Sequence, residues 1–225
     1  MAEAQAPAAE AHEPRYTPDQ ARDLAARYAS KLATTTAWPA ISRAAYALDV
    51  DALRRELATG VAVDLLNEPG GRTPLQLVSD VTNEMVVYQR GGTDEAFIRW
   101  AAEPSSRRRE IDEGIHADRE ACCALLLEHG ASPNPGRRHV NPLLAAAARG
   151  RPATVNMLLS AGGDANALAG SGDYTCSSLS VVLLSSWCSE ESRHRVAIVD
   201  ALLKAGASAN PPEFVGKTLM QWAIC

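Results

Sequence analysis

The sequence predicts an all-α fold, a helical solenoid of stacked helix-turn-helix repeats with a capping helix at its N-terminus, and three observations carry that prediction. Two separate segments share one ruler: Pro142 to Asn166 and Ala40 to Asp64 each span 24 residues with matching landmarks in the same order. A Leu-Leu pair followed by Gly and a closing Asn recurs at Leu126 to Asn134, Leu158 to Asn166 and Leu202 to Asn210. Ala and Leu are abundant while aromatic residues make up 5%, a composition suited to helices packed through small and branched side chains.

Residues 1–15 are read as a disordered leader, because Met1 to Pro14 is Ala, Glu and Pro with neither the basic nor the apolar region of a secretory signal. Residues 16–37 are read as the capping helix. Thr17-Pro18-Asp19-Gln20 has capping-box spacing, and Leu24, Tyr28 and Leu32 fall on one face, which is expected to cover the exposed end of the first repeat. Repeats then occupy about 38–70, 71–138, 139–173 and 174–214, with a partial unit at 215–225. The clearest unit runs from Asn141-Pro142-Leu143-Leu144 through Ala145 to Gly150, then Val155 to Leu159, then Ala161 to Asn166. Others open on Thr73-Pro74-Leu75 and on Lys217-Thr218-Leu219.

These residues resemble the ankyrin family, whose repeat of about 33 residues forms a β-turn and two antiparallel helices. The resemblance covers about residues 38–225. Elementary physics supports each element independently. Thr-Pro supplies a capping oxygen and a preset φ at a helix start. Ala44, Ala45, Ala146 and Ala147 allow close helix approach, and the Leu pairs at 126–127, 158–159 and 202–203 are expected to fill the space between repeats. Gly60, Gly130, Gly162 and Gly206 stand where a left-handed turn needs no Cβ.

The starts Ala40, Pro74, Pro142, Ser178 and Leu219 are separated by 34, 68, 36 and 41 residues, so one repeat is doubled in length. Either the second repeat carries an insertion over about 81–117, with Leu75 to Arg90 as one continuous helix, or Phe97 to Glu103 opens a degenerate extra repeat. On the first reading Thr93 or Asp94 caps a short helix through Glu103, and Ser105 or Ser106 caps another leading into Cys122. The family's His after Thr-Pro-Leu is absent, its positions holding Ser42, Gln76, Leu144, Ser180 and Gln221, so the capping network must differ. A smaller insertion is expected near Ser185 to His194. The chain ends on Trp222, Ile224 and Cys225 without a polar cap, which suggests a fragment or a covered end.

Catalytic chemistry is not evident. The five cysteines form no disulfide framework, and reduced thiols in a cytoplasmic compartment fit best. Adjacent Cys122 and Cys123 point about 100° apart on a helix, and no second pair completes a zinc set with His116. His129 reads as structural, Gly170-Ser171-Gly172 as a turn, and Arg107-Arg108-Arg109 as part of a solvated charged helix. Asn134, Asn166 and Asn210 match the family's hydroxylated positions, yet the same residues serve its loop hydrogen bonds.

The sequence reading is therefore a non-enzyme without cofactor or metal, working as a protein-interaction scaffold or adaptor. The alternative is the regulatory or targeting portion of a larger enzyme or secreted effector. The net charge of −5 argues against nucleic acid, no apolar run is long enough for a membrane span, and no small-molecule substrate is evident. By resemblance, a partner protein would meet the concave face and the turn tips at about 65–72, 135–140, 167–174 and 211–217. Arg72, Arg137, Arg138, His139, Tyr174, Phe214 and Lys217 are the expected anchors there, since Arg and aromatic residues dominate binding hot spots. The insertion over 81–117 is a further candidate binding element.

Overall fold

A computed structural model describes residues 15–67, 71–136, 141–171, 174–184 and 192–209. Among these residues the regular secondary structure is helical except for one β-hairpin and an isolated bridge between Asn67 and Arg72. The helices are α1 (Pro18–Ala33), α2 (Ala40–Ala47), α3 (Val50–Ala58), α4 (Pro74–Asp80), α5 (Asn83–Gly91), α6 (Asp94–Ala101), α7 (Ser105–Glu128), α8 (Pro142–Ala148), α9 (Pro152–Ser160), α10 (Ser178–Leu184) and α11 (Ser192–Lys204). Strands β1 (Leu168–Ser171) and β2 (Tyr174–Ser177) pair antiparallel, so the glycine-rich stretch read as a plain turn begins inside a strand.

Four helix pairs pack in sequence: α2 with α3, α4 with α7, α8 with α9, and α10 with α11. The first members form one layer, with α4 between α2 and α8 and α8 against α10. The second members form another, with α7 between α3 and α9 and α9 against α11. Small residues make the first layer close: Ala45, Ala146 and Ala147 are fully buried and Ala44 nearly so. The Leu pairs divide. Leu126, Leu158 and Leu202 are completely buried, whereas Leu127 and Leu159 are partly covered and Leu203 is 46% exposed. Successive helical residues point about 100° apart, so only one of each pair faces the core.

Three of the four second-layer helices, α7, α9 and α11, end in the same way. Gly130, Gly162 and Gly206 adopt φ of 85°, 87° and 85°. The next N–H then reaches back to the carbonyl of the buried leucine, at 2.9 Å (Ala131 to Leu126), 2.8 Å (Gly163 to Leu158) and 2.9 Å (Ala207 to Leu202). This arrangement satisfies helix-end carbonyls that would otherwise lack donors. The turn between α2 and α3 places a leucine in the same backbone region, with Leu48 at φ 53° where the turn between α8 and α9 has Gly150 at 67°. Leu48 is 1% exposed, so burial of its side chain offsets the left-handed strain.

Asparagines join consecutive pairs. Asn134 donates through Nδ2 to Gly162 O (2.8 Å) and accepts at Oδ1 from Asp164 N (2.8 Å). Asn166 repeats this toward Gly206 O (2.9 Å) and Ser208 N (2.7 Å). Asp64 holds the equivalent place in the first pair and accepts from Ser132 N, but a carboxylate has no donor for the Gly130 carbonyl. Replacing Asp64 by Asn should add that bond and raise stability by about 0.5–1.5 kcal/mol. Urea unfolding would detect this, and an unchanged or lower midpoint would count against the ladder as a linking device.

Several local devices cap the first-layer helices. Thr73 and Gln76 form a capping box at α4, with Thr73 N donating to Gln76 Oε1 at 2.6 Å and Gln76 N to Thr73 Oγ1 at 3.3 Å. Ser177 and Ser180 exchange the analogous bonds at α10 (2.8 and 3.1 Å), and Asn141 caps α8 by accepting from Leu143 N at 2.7 Å. Ser42, by contrast, is fully buried and its hydroxyl has no partner.

Three expectations need correction. Leu75 to Arg90 is not one helix: Thr82 caps a new one by accepting from Met85 N, and α4 stops at Asp80. The break is held from outside by two buried arginines, Arg119 and Arg151, which donate to backbone carbonyls at the end of α4. Next, α7 runs unbroken for 24 residues from Ser105, and its start has no side-chain cap. Finally, α1 packs chiefly on α6 rather than on the α2–α3 pair. There Ala21, Ala25, Tyr88, Phe97, Trp100 and Ala101 form a second core, which meets the main one through Tyr28, Val87 and Ile111. The segment between α4 and the end of α7 thus supplies a lateral module with α1, yet Met85, Val86 and Ile115 from the same segment belong to the main core. Deleting 81–117 would therefore damage both.

Candidate functional site

The first turn tip is closed by Asn67, which is fully buried and pairs with Arg72. Asn67 N donates to Arg72 O at 3.0 Å, and Arg72 N donates to Asn67 Oδ1 at 2.6 Å. Beyond this closure Leu65 and Leu66 are 38% and 43% exposed. The tip after the third pair is the β1–β2 hairpin, in which Leu168 opposes Ser177 and Ser171 opposes Tyr174. Leu168 is 37% exposed at its base.

Arg72, expected as an interface anchor, is already engaged. Its Nη1 lies 2.6 Å from Asp80 Oδ2, and Arg149 contacts Asp80 Oδ1 through Nε (3.2 Å) and Nη2 (2.9 Å). Burial alone would raise the Asp80 carboxyl, but the Arg149 and Arg72 guanidiniums more than offset this and hold it below the usual carboxylate range. The cluster ties the first tip to the ends of α4 and α8, so Arg72 acts first as a brace. Tyr174 lies on β2. Arg137, Arg138, His139, Phe214 and Lys217 fall outside the described residues, as do the second insertion near Ser185, the closing Asn210 and the partial unit at 215–225.

The sequence reading passed over Leu65, Leu66 and Leu168. A signal was present: each is a large apolar residue in a segment without helical period and beside turn formers, where burial is not the default.

Other reactive groups are structural. Cys122 and Cys123 are fully buried in the main core, and burial pushes both thiols up to about 12, so they are protonated at neutral pH. His129 Nδ1 lies 2.8 Å from Leu125 O at the end of α7. The arginine run divides: Arg107 pairs with Glu110 at the surface, whereas Arg108 is buried and donates to Ala101 O (3.2 Å) and Glu103 O (2.7 Å), closing the end of α6. The reading of the whole run as solvated fails for Arg108, because α6 turns its terminal carbonyls toward it. Among the described residues no group of three or more His, Cys, Asp or Glu is placed to hold a metal ion, and no helix is long and apolar enough to cross a membrane.

No family model matches the chain, and no curated protein is similar to it.

Proposed function

We propose that the chain is an ankyrin-type repeat scaffold that binds another protein through its turn tips and has no catalytic role. The observation that carries this reading is the run of exposed leucines, Leu65, Leu66 and Leu168, on tips that project from stacked helix pairs. Apolar side chains left in water at turn tips gain free energy when a partner covers them. Support for the repeat type comes from the linked asparagines, the recurring Gly turn and the capping box at Thr73-Pro74-Leu75-Gln76. Rigid helix pairs hold the tips in a fixed relation, which reduces the ordering cost of association.

Affinity purification coupled to mass spectrometry would identify the partner. With that partner in hand, Leu66→Ser combined with Leu168→Ser should weaken binding by about 2 kcal/mol or more, roughly thirtyfold in Kd. Both side chains are more than half covered, so thermal stability should fall modestly, and binding is compared at a temperature where the double variant remains folded. Undiminished binding by the double variant would remove the tips from the interface.

A further inference from the structure

Beside the first turn tip one carboxylate sits between two guanidiniums. Arg72 meets Asp80 through Nη1 at 2.6 Å, and Arg149 meets it through Nε and Nη2 at 3.2 and 2.9 Å. Two positive charges to one negative leave this point of the surface positive, in a chain whose net charge is −5. The Arg72 and Arg149 side chains are 38% and 42% exposed, and Asp80 is 25% exposed. Water therefore reaches the guanidiniums more than the carboxylate they share.

The two arginines differ in what they have left to give. Arg149 spends its side-on edge, Nε with Nη2, on one oxygen of Asp80. Arg72 uses only Nη1, so its own Nε–Nη2 edge makes no bond among the described residues and is not shut off from water. That edge of a guanidinium presents two parallel N–H groups, the geometry that grips both oxygens of a carboxylate. The bond to Asp80 and the backbone closure with Asn67 hold Arg72 at both ends, so the edge is set in place beforehand and loses little freedom on binding.

An aromatic pair adjoins the charges. Trp38 packs edge-on against Tyr46 at 5.3 Å, and Lys31 Nζ lies 5.9 Å from the Tyr46 ring centroid. Burial pushes the Tyr46 phenol up to about 12; Asp80 adds to that rise while Arg72 and Arg149 oppose it, which places all three charges around this ring. Lys31 thus brings a third positive charge to the same neighbourhood. Leu65 and Leu66 stand just before the Asn67–Arg72 closure, and α4, seven residues long, spans about 10 Å from the tip to Asp80. An extended chain rises about 3.3 Å per residue, so roughly three or four residues reach from the leucines to the arginine pair.

We propose that the partner protein meets this place with a segment that is acidic as well as apolar: one Asp or Glu carboxylate seats on the free edge of Arg72 beside Arg149, and neighbouring apolar side chains cover Leu65 and Leu66. This assignment rests on the scaffold reading of the tips and adds the chemistry of the partner. The incoming carboxylate completes a row of alternating charge, Arg149, Asp80, Arg72 and the partner, whereas a basic segment would meet three cations whose one carboxylate is already shared.

The test is selection of peptides from a random-sequence phage library on the full chain, followed by fluorescence anisotropy with the peptides selected. They are expected to be rich in Asp or Glu next to Leu, Ile or Phe. Exchanging their acidic residues for Asn or Gln should weaken binding to the natural chain about tenfold, and raising the salt should weaken the acidic forms alone. Arg72→Lys keeps a cation for Asp80 but not the fork, and should weaken the acidic peptides by about as much. Peptides that depend on Leu66 and Leu168 but are neutral or basic, or acidic ones indifferent to the exchange of their carboxylates, would overturn the acidic assignment and leave the scaffold reading standing. If no selected peptide lost affinity for the Leu66→Ser and Leu168→Ser double variant, both would fall.

Discussion

Replacing Phe97 by Ala should destabilise the protein by about 3–5 kcal/mol, the range for truncating a buried phenylalanine. Phe97 is completely buried and sits at the centre of the lateral core. Its ring lies 5.5 Å from Tyr28 edge-on, 5.9 Å from Tyr88 and 5.3 Å from Trp100. Each such contact adds about 0.5–1.5 kcal/mol to simple area burial. The loss should be regional. Because α1 packs chiefly on α6, hydrogen exchange in the variant should accelerate over 18–33 and 94–101 while α8 and α9 keep their protection. Uniform acceleration would show that the two cores melt as one unit, and a loss below about 1 kcal/mol would show that the aromatic cluster repacks around the gap.

Arg151→Met should cost about 2–4 kcal/mol although methionine fits the apolar part of the space. The guanidinium donates to Ser79 O at 2.7 Å and to Val81 O, closing the end of α4 where no helical donor remains. Losing charge-assisted bonds to buried carbonyls costs about 1.5–3 kcal/mol each. An opposing effect is real: burial and the Arg119 and Arg149 charges already pull the Arg151 guanidinium well down from its ordinary value, so removing it relieves desolvation and repulsion. The bonds outweigh that relief because the Ser79 carbonyl would lose its arginine donor while buried, although Val81 O would keep Arg119. Arg119→Met should cost less, since two of its donors are idle and Val81 O would keep Arg151. Chemical denaturation of the two variants decides this order, and a milder effect at Arg151 than at Arg119 would refute the account.

Several helix ends were legible residue by residue. Thr17 and Thr93 cap where their spacing predicts, and the left-handed glycines at 60, 130, 162 and 206 stand at the outer-helix ends. These are local effects, decided by one side-chain oxygen or one missing Cβ within a few residues. The break at Val81 was not legible, because the groups that hold it are Arg119 and Arg151, 38 and 70 residues further along the chain.

The candidate site divides in the same way. The tips could be located from the sequence pattern, but which of their leucines stay exposed depends on the Asn67–Arg72 closure and on the register of the hairpin. Arg72 read as a free anchor because its partner Asp80 lies across a turn and beside Arg149, which comes from another pair.

By itself, then, the sequence determined that the chain is helical, where several helices are capped, and which small residues face inward, but not which leucine of each pair does. Only the tertiary structure decided that α1 joins α6 in a second core, that α4 is cut short, and that two arginines lie buried together. Helix type and caps follow from interactions within one turn of chain, whereas these three depend on which distant surfaces meet and on which buried carbonyls remain to be satisfied there.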